Sequence, residues 1–105
     1  MVPFAGGHSK FYESDDEGKD IFHQVHSDIA ESYRSNYGDF RSIKFLGYTK
    51  QIVSGIIYIL TVEVQNEGAP KCIYCRVYQK LPCHGGDINL IRISKSEEEA
   101  RTIEK

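Results

Sequence analysis

Between residues 20 and 35 the apolar positions follow a helical repeat. Ile21, Val25, Ile29 and Tyr33 recur at every fourth place, with Phe22 beside the stripe. Gln24, Ser27, Asp28 and Glu31 fall on the opposite side, the arrangement of a helix that buries one face. Ahead of it, Ser14-Asp15-Asp16-Glu17 has the form of a capping box. The carboxylates Asp15, Asp16, Glu17 and Asp20 also suit the positive end of a helix dipole. Gly18 is a poor interior helical residue, so the pattern predicts a helix over about 18–35 that starts no earlier than this glycine. Asn36-Tyr37-Gly38 supplies an ending, since Asn and Gly tolerate the left-handed conformation of a C-cap.

Beyond Gly38 the repeat shortens from 3.6 to 2. Four β-rich runs follow, over 43–53, 56–65, 72–79 and 88–93. Gly55 separates the first pair, while Asn66-Glu67-Gly68-Ala69-Pro70 and His84-Gly85-Gly86-Asp87 are turn segments. In the third run Ile73, Cys75 and Val77 share one face, and Tyr74, Arg76 and Tyr78 the other. The tail 94–105 is rich in charge and is expected to fray, with Glu97 to Glu99 solvated. A single helix stripe followed by antiparallel runs is an α+β domain, because only a sheet face is large enough to cover the stripe.

Composition narrows the function. A chain of 105 residues is one domain, 1–105, and 40% hydrophobic against 27% charged residues is a globular balance. The net charge is -2 and no two basic residues are adjacent, so the chain has no basic stripe for nucleic acid or an anionic membrane. The longest apolar stretch, 56–62, is far below the roughly 20 residues of a membrane helix. The first residues lack the basic and apolar regions of a secretory signal, and three cysteines make a poor disulfide framework. A cytoplasmic, leaderless protein with reduced thiols is expected; release outside the cell is compatible with the same residues.

Cys72-Ile73-Tyr74-Cys75, with Cys83-His84, invites a zinc or thiol-redox reading. Strand period opposes it, since Cys72 and Cys75 are an odd number apart and face opposite ways. One core and one surface cysteine are expected instead, with Cys83 exposed. His23 and His26 share a helix face but lack a third ligand. No nucleophile motif organises the Ser, His and acidic residues. No metal, cofactor or enzymatic activity is expected.

Three segments carry a resemblance. They are a glycine near the start, Gly6 or Gly7, the pentapeptide Gln51-Ile52-Val53-Ser54-Gly55, and the pair Leu81-Pro82. In order and spacing they resemble the inhibitory elements of the cystatin superfamily, whose central motif is Gln-x-Val-x-Gly. The text around Ile21 to Ser27 and Arg76 to Pro82 is similar to that of the type 1 members, the stefins. The Pro-Trp pair and four cysteines of type 2 cystatins are absent. The resemblance spans about residues 6–93. It implies the cystatin fold, a five-stranded antiparallel sheet wrapped around one helix, with a first strand near Lys10 to Ser14 formed by Phe11 and Tyr12.

It also implies reversible, tight-binding, competitive inhibition of papain-like cysteine proteases, of the cathepsin L, B, S or H type. The binding residues would be Phe4, Ala5, Gly6 and Gly7 in a flexible arm 1–9, Gln51, Ile52, Val53, Ser54 and Gly55 in one hairpin, and Leu81 and Pro82 in another. A monomer is expected, with exchange of the helix and first strand into a dimer as the alternative. From another class, a cystatin-fold binding module without protease inhibition is the competing expectation. Residue chemistry points the same way as the resemblance. Gly55 permits the positive φ of a tight turn, Pro82 fixes one φ, and Ile52 and Val53 are apolar where a loop tip favours polar residues. Gly55→Glu is accordingly expected to remove inhibition while leaving the fold native.

Overall fold

The computed structural model describes residues 10–101. A helix α1 (Asp16–Tyr37) and a short α2 (Glu97–Arg101) accompany five strands, β1 (Tyr12–Glu13), β2 (Ser42–Val53), β3 (Gly55–Gln65), β4 (Lys71–Gln79) and β5 (Ile88–Ser94). The strands form one antiparallel meander in the order β1-β2-β3-β4-β5. This is the cystatin fold.

The predicted stripe is the buried one. Ile21, Val25, Ile29 and Tyr33 pack on Phe45, Tyr48, Tyr58, Leu60, Val62, Val64, Ile73, Cys75 and Val77 from the inner sheet face. Truncating Ile29, fully buried at the middle of α1, is worth about 2–5 kcal/mol of stability. Register slips bend the sheet round the helix: Leu46 of β2 is extra between Phe45 and Gly47, and Ile91 of β5 is extra opposite the Arg76–Val77 step of β4.

Three expectations need correction. The helix starts at Asp16, two residues before Gly18, so that glycine is helical and buried. A Cβ there would stand 2.6 Å from Cε1 of Tyr48 and 2.7 Å from Cζ of Phe45, so close packing outweighs the helix penalty of glycine. The N-cap is Asp15 instead of Ser14: its carboxylate accepts from the Gly18 N–H at 2.8 Å. Finally, the start of the tail does not fray. Ser96 Oγ accepts from the Glu99 N–H at 3.2 Å, and α2 follows. Ala100 is fully buried on the outer sheet face, where Arg76 donates from Nη1 to the Ala100 carbonyl at 3.0 Å. Thr49, Ile59 and Arg76, cross-strand neighbours on that face, are all buried.

Candidate functional site

Strand direction decides which loops meet. β2 and β4 both run antiparallel to β3, so the β2–β3 turn and the β4–β5 loop leave the sheet at the same end. Tyr12 of β1 opposes Tyr48 of β2, so the chain enters β1 from that end too. Tyr12 and Tyr48 stack with ring centroids 5.2 Å apart, and Lys50 Nζ lies 5.6 Å from the Tyr12 ring centroid. The expected first strand is thus present, and Phe11 lies just before it. Phe4, Ala5, Gly6 and Gly7 lie outside the described residues.

The β2–β3 connection is as tight as a hairpin allows. Val53 pairs with Gly55 and Ser54 alone forms the apex. Gly55 has φ +123°, a left-handed region that side chains rarely enter. Space is a second constraint: a Cβ on Gly55 would stand 2.5 Å from the Gln79 carbonyl oxygen and 2.8 Å from Tyr78. Gly55→Glu therefore disturbs the hairpin itself, and the expectation that it spares the fold does not hold. Gln51 is half-buried, Ser54 exposed, and Ile52 and Val53 are 60% and 41% exposed. The turn thus holds two neighbouring apolar side chains in water, where a loop tip favours polar residues.

The second loop is built differently. Lys80 N–H donates to the Asp87 carbonyl at 2.8 Å, closing the base. Leu81 is half-buried with φ -60° and ψ 150°, extended backbone of the kind a residue before proline adopts. Pro82 is exposed and opens a single 3-10 turn through His84, closed by Gly85 N–H to the Pro82 carbonyl at 3.0 Å. Gly85 and Gly86 take positive φ to return the chain to β5.

Beneath the tip, the start of α1 is tied to the hairpin by polar groups that sequence reading missed. Glu17 accepts from Tyr58 Oη at 3.0 Å, Tyr48 Oη at 3.3 Å and Lys50 Nζ at 3.1 Å. Tyr48 also donates to Asp15 at 3.1 Å. Burial, then the neighbouring carboxylates, push both tyrosine pKa values well above the ordinary range. Every one of these groups sits three to seven residues from the turn or at the helix start, so the cluster stiffens the base of the hairpin. Glu17 had a visible signal as part of the acidic helix start; its partners on β2 and β3 lie more than 30 residues away in sequence.

The cysteines are all free: Cys72 and Cys83 exposed, Cys75 buried in the core. Cys72 and Cys75 lie on opposite faces, as the strand period requires. Among the described residues no group of three His, Cys, Asp or Glu could hold a metal ion. No helix among them is long and apolar enough to cross a membrane. A concavity lined by Phe40, Arg41, Asn66 and Lys71 among others is at the opposite end of the sheet.

No family model matches the chain. A curated relative does: cystatin-B of Oplegnathus fasciatus is 32% identical over 97 residues, 92% of this chain and 91% of its own length. Identity at that level over nearly the whole length joins a fold, a complete Gln51–Gly55 motif and a Leu81-Pro82 loop at the same sheet end. The chain belongs to the cystatin family, as a stefin-like, type 1 member of these cysteine protease inhibitors.

Proposed function

We propose that this chain inhibits papain-like cysteine proteases by occupying the active-site cleft with a wedge. Gln51 to Gly55 form its centre, Leu81 and Pro82 one flank, and Phe4, Ala5 and Gly6 or Gly7 the other. Inhibition is reversible and competitive: the target thiolate is denied substrate, and no nucleophile, metal or cofactor of the inhibitor takes part. Affinity comes from desolvating Ile52, Val53 and Leu81 in a preformed shape, with little ordering cost. The observation that carries this reading is the exposed apolar pair Ile52–Val53 on a one-residue turn over a packed sheet. Targets are of the cathepsin L, B, S or H type. The whole chain acts as one domain, with the arm 1–9 as the adaptable element, and works as a monomer. Its setting is the cytoplasm, with release outside the cell compatible.

Titration of papain and a cathepsin L-like enzyme with the chain tests the proposal. Stoichiometric loss of peptidase activity, competitive with substrate and regained on dilution, is expected. Absence of inhibition at micromolar concentrations would leave the chain a cystatin-fold binding module.

A further inference from the structure

The hairpin tip is held by a side chain that belongs to none of the wedge segments. Tyr78 lies on β4 in register with Ile57 of β3. Its hydroxyl donates to the carbonyl oxygen of Ser54, the apex residue. An apex carbonyl has no strand partner and must find water or a side chain. The Tyr78 ring also fills the room beside Gly55, since a Cβ on that glycine would stand 2.8 Å from both Cε1 and Oη of Tyr78. The same tyrosine precedes Leu81 by three residues on the strand that leads into the second loop.

We propose that Tyr78 is a positioning residue that fixes the first hairpin tip relative to the second loop. Through it, Ile52, Val53 and Leu81 meet a protease as one preformed surface. The proposal rests on the wedge reading above. Its chemistry separates into two parts. The ring excludes any side chain at Gly55, and the hydroxyl holds Ser54. Phenylalanine keeps the first and removes the second, leaving the Ser54 carbonyl to mobile water.

The experiment compares wild type, Tyr78→Phe and Tyr74→Phe. Tyr74 shares the strand and face of Tyr78 but pairs with Thr61, far from the turn. Three readouts are taken: rates of association with and dissociation from papain, backbone order of the Val53, Ser54 and Gly55 amides in the free protein, and Tm. In Tyr78→Phe the tip amides should lose order and dissociation should speed up roughly three- to tenfold, the range for one hydrogen bond. Tyr74→Phe should change neither. A Tyr78→Phe protein with a lowered Tm but unaltered tip amides and rates would show a merely structural role and overturn the proposal. Should wild type fail to inhibit, the wedge reading falls, and the tip amides decide alone: loosened in Tyr78→Phe they sustain the role, unaltered they end it.

Discussion

Two turns of one sheet, at opposite ends, follow opposite rules. The β3–β4 turn, Asn66 to Pro70, is exposed throughout and carries no large apolar side chain, and nothing lies within 4 Å of where a Cβ on Gly68 would stand. The β2–β3 turn has one apex residue, exposes Ile52 and Val53, and crowds its glycine with Gln79 and Tyr78. Asn66 answers solvent in the ordinary way, capping the Asp39 carbonyl at 3.1 Å. A surface turn needs only to reverse the chain, and the polar one does so with loose, replaceable parts. Where a turn is instead apolar, sterically locked and cross-braced, its shape is under a demand that folding alone does not make. Binding in a protease cleft, as proposed above, is such a demand.

The contrast can be broken most sharply at the two glycines. Gly55→Ala should cost about 2 kcal/mol or more, from positive φ and the clash with the Gln79 carbonyl, and should weaken papain inhibition at least a hundredfold. Gly68→Ala should stay within about 0.5 kcal/mol and leave inhibition alone; equal losses of Tm in the two variants would dissolve the distinction.

Next come the side chains. Val53→Asp puts a charge where apolar contact is wanted, so the inhibition constant should rise about thirtyfold or more with Tm unmoved. Ala69→Asp, its counterpart on the polar turn, should leave both unchanged. A thermal shift in Val53→Asp would mean that the side chain supports the fold as well as the contact.

A smaller effect belongs to the base of the tight turn. Tyr48 and Tyr58 are buried and hydrogen-bonded to carboxylates, which raises their folded pKa above the unfolded value. A raised folded pKa means that the unfolded chain ionises first, so their contribution is complete below about pH 10 and is lost as pH climbs beyond it. Urea midpoints for wild type should therefore fall between pH 9 and 11, and fall less in Tyr58→Phe. At neutral pH that variant should lose about 1 kcal/mol, the value of one hydrogen bond. Asn66→Ala, the smallest change, should cost a few tenths of a kcal/mol, since its bond is exposed; urea denaturation of that variant is the check.

Much of this was legible in the chain because it depends on local periodicity. The α1 stripe, the four strands and the split faces of β4 each follow from spacing and from the lack of any other partner for the helix. What stayed hidden depends on pairs distant in sequence. Gly18 looked like a helix boundary until Tyr48 and Phe45 came to lie over it. The strand period places Tyr78 on the face shared with Tyr74 and Arg76 but does not reveal its partner Ser54, 24 positions earlier. The α2 turn is a different case. Ser96-Glu97-Glu98-Glu99 is a capping-box pattern like Ser14 to Glu17, and its signal is local, but it stands in a run of charge that by composition favours a solvated end. Of the candidate site, Gln51 to Gly55 and Leu81-Pro82 were visible as motifs, and the brace that joins them was not.

Cys75 gives the molecule a stopwatch. It sits fully buried in the middle of β4, and burial pushes its thiol pKa well above the ordinary value, so neither access nor ionisation favours attack. Cys72, on the same strand, and Cys83 are exposed. A thiol-reactive dye should therefore take those two at once and the third only when the sheet comes apart. The slow phase of native-state labelling would time global opening directly, without a probe having to be engineered.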